Sequence, residues 1–425
     1  MSPAEGLANG GSGLVNRASL GPGGRGTDMF NTYTAAGGGP ETWHPDFQYF
    51  GMQFLQVTGL PEGYPVSADL VTGLRLMGDT PSAGSVTTSN ERINRLHRMA
   101  QYSFASNTLS IFTDCPGREK QSYPADYTMV MGAIERNYDL ASYLRGHMRH
   151  FAEGQSMADT FMRGNVALKV PVHDVGFAGQ FGDEINWGNG IILVPAFLYE
   201  LYGDTDTMAT YYDEMVLFHD YIVREKAGAG ALPDHIVNAA LSDWVSAEQT
   251  SGQISGTWGY FVMTDKLAMM AALTGHDEDA AKYAALAADI EAAFNAQFYN
   301  TTLKRYATDG GSGGTTGATQ VAQALALDAG LVPEADREAV LDYLVENIYA
   351  FNPSGDGGPH LSGGTIGLAP TVRALTDGGR DDVLWDVLQQ DAQPSWGFFL
   401  QPTAANPEGF TTVGEQWNRG ASRNH

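Results

Sequence analysis

The chain has 425 residues, 43% of them apolar and 17% charged, which supplies enough apolar surface for a packed core and too little charge for a disordered polymer. Lys and Arg number 24 against 49 Asp and Glu, a net charge of −25 that repels polyanions, so nucleic acid is not an expected partner. The single cysteine, Cys115, excludes an internal disulfide and a multi-cysteine metal site, and no stretch approaches the roughly 18 apolar residues of a membrane span, so a membrane partner is not expected either.

Residues 1–27 are rich in Gly and Ser and have neither a basic start nor an apolar leader core, so they read as a linker or a truncated edge. The abrupt last residues, Ser422-Arg423-Asn424-His425, suggest truncation at that end too. Between Phe47 and Met77 the runs FQYFGMQFLQVTG and LVTGLRLMG are aromatic and β-branched, punctuated by Gly. They predict strands and make 28–85 a β-rich segment.

From Asn90 the period changes. Ile93, Leu96, His97 and Ala100 recur at helical spacing behind Ser89 or Asn90 as N-cap. Further helices are predicted at about 125–151, 187–203, 206–226, 257–275, 278–298, 317–330, 334–350, 363–378 and 380–390. In 278–298, Tyr283, Leu286, Ala287, Ile290 and Phe294 share one face. Several helices stop at Gly, as at Gly203, Gly275 and Gly330, the residue suited to a left-handed C-cap. Short links imply antiparallel pairs, and with no fixed repeat the chain from 86 to 425 reads as a mainly α, (α/α)6 toroid preceded by the β-rich remnant.

Chemistry is expected in the longer loops. The densest polar cluster is Thr113-Asp114-Cys115-Pro116-Gly117-Arg118-Glu119-Lys120, followed by Asp126. Clustered acids beside Arg118 and Lys120 can divide acid and base roles, or form a solvated loop that caps helices. Far along the chain, Glu415 sits in Gly409-Phe410-Thr411-Thr412-Val413-Gly414-Glu415-Gln416-Trp417. Two carboxyl groups facing each other across a pocket with tryptophan walls is what glycoside hydrolysis needs, although either acid alone reads equally as a surface group. Trp187 and Trp244, flanked by Asp183, Glu184 and Asp243, could stack on a sugar ring or fill the core. The neighbouring acids could accept sugar hydroxyls or cap helices. His173 and Asp174 lack metal-ligand spacing, and no nucleotide-binding glycine motif occurs, so neither metal nor cofactor is expected.

Taken in order, these motifs resemble the α-L-rhamnosidases of glycoside hydrolase family 78, from about Thr27 to His425. TDMFNTYTAAGGGPETWHPDFQYFGMQFLQVTGLP is similar to the end of the β-sandwich preceding that family's barrel. DCPGRE is the most specific match, followed by GDEINWGNGIILVPAFLYELYGD, LSDW, LSGGTIGLAPTVRALTDGGRDDVLWDVLQQDAQPSWGFFL and EGFTTVGEQWNRGASRNH. The resemblance implies an inverting hydrolysis of terminal α-L-rhamnosides, with Glu119 as general acid and Glu415 as general base. It implies that Asp114 and Asp126 hold rhamnose hydroxyls and that Arg118, Trp187, Trp244 and His425 line the pocket, with Trp187 stacking on the sugar; Trp417 stands beside the base. The chain departs from the pattern where Lys120-Gln121-Ser122-Tyr123-Pro124-Ala125 replaces a tryptophan-bearing stretch, at Asn189 where the family tends to carry Asp, and at Gly414 where Trp is more common. Those departures leave room for a rhamnosyl-uronate lyase acting by β-elimination, or for a non-catalytic carbohydrate-binding toroid. The expected ligand is a rhamnose-containing glycan or glycoside, with a lean to a secreted or periplasmic setting; the oligomeric state stays open.

Overall fold

The computed structural model describes residues 1–8, 14–16, 29–156, 162–171, 182–418 and 423–425. They form two compact units, one of residues 1–80, 85–121 and 396–425 and the other of 81–84 and 122–395. The first long helix and the end of the chain belong with the N-terminal residues, because their partners lie there.

In the first unit, β1 (Ser2–Ala4) pairs antiparallel with β2 (Phe54–Gln56), Ser2 opposite Gln56 and Ala4 opposite Phe54. The opening residues, read from sequence as linker, therefore supply the neighbour strand for Phe54–Gln56. Strand propensity elsewhere in 47–77 finds no such neighbour. Among the described residues the run around Val71–Met77 forms no strand, and Val71, Leu74 and Leu76 are exposed. A strand needs a ladder partner, and composition alone does not provide one.

Helix α1 (Glu91–Asn107) begins where Asn90 caps it, its Oδ1 accepting the Arg92 and Ile93 N–H groups at 2.9 and 3.4 Å. Leu96, Met99, Ser103 and Asn107 form its buried side. Near the end of the chain, the short helix Trp396–Leu400 leads to Phe410, whose N–H donates to Phe399 O at 2.8 Å.

The second unit is helical. The single helix predicted over 125–151 is three: α2 (Pro124–Thr128), α3 (Met131–Glu135) and α4 (Ala141–Ser156). The break has a cause in residues 81–83. Asp139 N–H donates to Pro81 O, Ala83 N–H donates to Asn137 O, and Asp139 Oδ1 accepts Ala141 N–H to start α4. Next come α5 (Ile185–Gly188), α6 (Gly190–Tyr202), α7 (Thr205–Thr210) and α8 (Tyr212–Glu225). The apolar run Ile191–Leu198 lies within α6, and Ile191, Ile192, Val194, Ala196 and Leu198 are buried there.

The longest pair is α9 (Gly252–Leu273) against α10 (Asp277–Phe298). Gly275, at φ +81°, turns the chain between them. Along α10, Tyr283, Ala287, Ile290, Phe294 and Phe298 are buried, as the spacing predicts, while Leu286 is half-buried. A two-residue ladder, β3 (Tyr299–Asn300) with β4 (Arg305–Tyr306), then leads to α11 (Gln320–Asp328), α12 (Arg337–Ala350), α13 (Leu368–Asp377) and α14 (Asp381–Leu388). Helix α11 packs on α12, α13 and α9. No helix of the described residues is long and apolar enough to cross a membrane.

Candidate active site

The Asp114–Gln121 loop of the first unit closes on itself. Asp114 is buried, its N–H donates to Gln121 O and its Oδ1 accepts Gln121 N–H, both at 2.8 Å. Cys115 Sγ donates to Asp114 Oδ2 at 2.8 Å and accepts Glu119 N–H at 3.2 Å. Burial pushes that thiol far above its ordinary range, with the Asp114 charge adding to the effect, so it stays a neutral bridge. The position of Cys115 one residue after Asp114 and four before Glu119 is the signal that it could join them. Lys120, at φ +59°, donates to Tyr49 O at 2.7 Å and lies 4.4 Å from the Tyr49 ring centroid. Glu119 is thereby held on the exposed side of the loop.

The Glu415 segment and this loop are fastened to the same end of α1. Val413 N–H donates to Ser103 Oγ at 2.8 Å, and His425 N–H donates to Val413 O at 3.0 Å. Asn107 Nδ2 donates to Asn424 Oδ1 at 3.2 Å, while Asn107 Oδ1 accepts Thr113 Oγ1–H at 2.9 Å, one residue before Asp114. Burial holds Arg423 below its ordinary range, with the Glu5 charge opposing that shift and the Arg118 charge adding to it. Trp417 packs inside the unit, its ring 6.1 Å from Phe399 and 5.7 Å from Trp396. Glu415, Trp417 and His425 are half-buried. A nearby cleft is lined by Glu5, Gln53, Phe410, Thr412 and Arg423, and neither glutamate lines it.

The remaining predicted residues belong to the second unit. Asp126 is half-buried in the first turn of α2. Asp183 accepts Tyr221 O–H at 2.8 Å and pairs with Lys226, so a cation already answers it. Glu184 is buried and caps α5, accepting Asn186 N–H and, at 2.9 Å, Leu241 N–H. Trp187 is only 2% exposed, whereas Trp244 is 41% exposed. The indole expected to stack on a sugar is thus a packed core residue, and exposure favours Trp244. His173 and Asp174 lie outside the described residues, and among those described no group of three or more His, Cys, Asp or Glu could hold a metal.

Asp243, open in the sequence as a sugar acceptor or a helix cap, binds the backbone of 364–367. It is fully buried and accepts three backbone N–H groups: Gly364 on Oδ2 at 2.9 Å, Ile366 and Gly367 on Oδ1 at 3.0 and 2.9 Å. Burial pushes its carboxyl up to about 6 even against those donors. It ties the 241–250 loop to 364–367. The backbones approach so closely at Gly364 that a Cβ there would stand 2.1 Å from Trp244 O.

Comparison with known proteins decides what these parts belong to. Residues 81–425 match the family model of the bacterial α-L-rhamnosidase six-hairpin glycosidase domain, and residues 3–77 match that of the bacterial α-L-rhamnosidase concanavalin-like domain. The chain belongs to the bacterial α-L-rhamnosidase six-hairpin glycosidase family. Its mainly α, (α/α)6 class follows, as the helix pairing predicts. An α-L-rhamnosidase from Streptomyces avermitilis is 30% identical over 390 residues, 91% of this chain and 34% of that protein. One from Formosa agariphila is 26% identical over 418 residues, 94% of this chain and 40% of that protein. Among solved structures, the Streptomyces avermitilis α-L-rhamnosidase complexed with L-rhamnose matches with a TM-score of 0.84 and 27% identity, covering 100% of this chain and 38% of that one. The chain therefore spans between a third and two fifths of the length of these curated relatives.

Within this rhamnosidase-family chain, Glu184 makes a measurable contribution of its own. Burial pushes its carboxyl up to about 7 from an ordinary 4.5, against the Leu241, Asn186 and Ala240 N–H groups. The folded chain then holds this proton more tightly than the unfolded one. Stability is therefore expected to fall as pH rises from about 4.5 to 7, by about 3 kcal/mol from this group. Urea unfolding across that range should show the slope, and Glu184→Gln should reduce it, most clearly above pH 6, where the raised Asp243 carboxyl no longer contributes. An equal slope in the variant would remove Glu184 as its source.

Proposed function

We propose that this chain carries the catalytic part of an inverting α-L-rhamnosidase, acting on terminal α-L-rhamnosides of a glycan or glycoside, with Glu119 as general acid and Glu415 as general base. The observation that carries the reading is that two glutamates far apart in sequence stand on segments fastened to one end of α1, in a chain of a rhamnosidase family. In the reaction, Glu119 gives its proton to the glycosidic oxygen as the bond to the anomeric carbon breaks. Glu415 takes a proton from the water that attacks the opposite ring face. Such a pair works with its carboxyl groups about 6.5–9.5 Å apart, leaving room for that water. Asp114, buried and tied through Cys115 to the Glu119 backbone, sets where the acid stands. Arg118 and His425 flank the same segments.

The test is NMR of the first product formed from an aryl α-L-rhamnoside. Inversion gives β-L-rhamnose before mutarotation. Initial α-L-rhamnose would reject the inverting assignment, and an unsaturated uronate from a rhamnosyl-uronate substrate would replace hydrolysis by elimination.

A further inference from the structure

Glu248 lies on the loop that carries Trp244, and no role has been assigned to it above. Both residues are attached to one short stretch of chain. Ala247 N–H donates to Ser362 O at 2.8 Å, Ser362 Oγ–H donates to Glu248 Oε2 at 3.4 Å, and Thr365 N–H donates to Trp244 O at 2.9 Å. The loop keeps an unusual backbone, with Ser242 and Val245 both at φ +55°. A β-branched residue in that region is strained, and such strain persists only where surrounding structure enforces it. Here the buried Asp243 anchor enforces it.

The Glu248 carboxylate is half-buried. Some half-buried acids of its unit pair with a cation, as Asp183 does with Lys226, Asp328 with Arg373 and Asp336 with Lys304, while Asp279 and Asp309 accept hydroxyl groups from Tyr212 and Thr316. Among the described residues no Lys, Arg or His pairs with Glu248, and its known donors are the Ser362 hydroxyl and the Gln320 backbone. Partial burial pushes its pKa up from the ordinary value, as expected for a charge without a cation. A half-buried acceptor that no cation of the described residues pairs with, on the loop that also carries an exposed indole, answers the two features of a sugar ring: hydroxyl donors at its edge and a C–H face.

We propose that Glu248 and Trp244 form a sugar-binding pair in which the carboxylate accepts hydroxyl hydrogen bonds from a ring lying on the indole. This rests on the rhamnoside reading above and adds Glu248 to it as a substrate-binding residue. A ring hydroxyl donating to a carboxylate contributes about 1.5–3 kcal/mol, or roughly a 10- to 150-fold change in affinity.

Calorimetric titration of the chain with methyl α-L-rhamnoside and its three monodeoxy analogues tests the pair. Glu248→Ala is expected to weaken binding of the parent sugar at least 10-fold, with Glu248→Gln between it and wild type. For one monodeoxy analogue, wild type and Glu248→Ala should bind alike, because the donor is already gone, a pattern that a general loss of structure would not produce. Equal affinity of wild type and Glu248→Ala for the parent sugar overturns the pair while leaving the rhamnoside reading intact. An equal loss for all four ligands overturns the direct contact. Absence of rhamnoside binding by wild type overturns the rhamnoside reading, and this pair with it.

Discussion

Replacing Glu119 by Gln is expected to lower turnover of a rhamnosyl disaccharide by about 10²–10⁴-fold, the usual contribution of a positioned proton donor or acceptor. Glu415→Gln should cost a similar factor. The two can be separated by leaving group. An aryl alcohol leaves with little help, so Glu119→Gln should lose much less on an activated aryl rhamnoside than on the disaccharide. Glu415→Gln should lose the same on both, because water attack needs the base whichever group departs. The fold should survive the first substitution. The hydrogen bonds that close the Asp114–Gln121 loop use the Glu119 backbone, its N–H to Cys115 Sγ and its carbonyl from Gln121 Nε2. Steady-state rates on both substrates, with thermal unfolding as control, check this. Wild-type rates in either variant would refute the assignment, and equal losses on both substrates in Glu119→Gln would deny it the acid role.

Asp243→Ala should be the most destabilising single change in the second unit. It removes the acceptor of three backbone N–H groups at a fully buried position. A buried donor left unpaired costs about 1–3 kcal/mol, so the expected loss is about 3–6 kcal/mol, some relaxation of the 364–367 turn included. Asp243→Asn should fall between, since its amide oxygen can still serve Ile366 and Gly367 while the NH2 group opposes Gly364 N–H. Urea unfolding gives the totals. Hydrogen exchange at Gly364, Ile366 and Gly367 shows whether the loss is local. Unfolding like wild type, with protected amides, would mean that Asp243 is not the anchor.

Much of the architecture was legible because it is local. The buried side of α10 follows from the spacing of Tyr283, Ala287, Ile290 and Phe294. The start of α1 follows from Asn90, and the stop of α6 from Gly203, which adopts φ +67°. The DCPGRE and GEQW motifs drew attention to Glu119 and Glu415 for a similar reason, since motif spacing survives without knowledge of the fold. Alternatives stayed open where a partner had to come from far along the chain. Asp183, Glu184 and Asp243 look alike in sequence as acids beside tryptophans. One pairs with a lysine, one caps a helix and one binds a turn 121 to 124 positions away.

By itself the sequence determined the helical class, the helix faces and caps, the absence of a disulfide within the chain and the identity of the two candidate glutamates. Each depends on residue type and on neighbours within a few positions. Tertiary structure alone decided that Ser2–Ala4 is a strand, that Trp187 is core while Trp244 is exposed, and that Cys115 links Asp114 to Glu119. Burial and hydrogen-bond partnership belong to the packed chain, and a side chain's chemistry follows from how much water and which donors the rest of the molecule leaves around it.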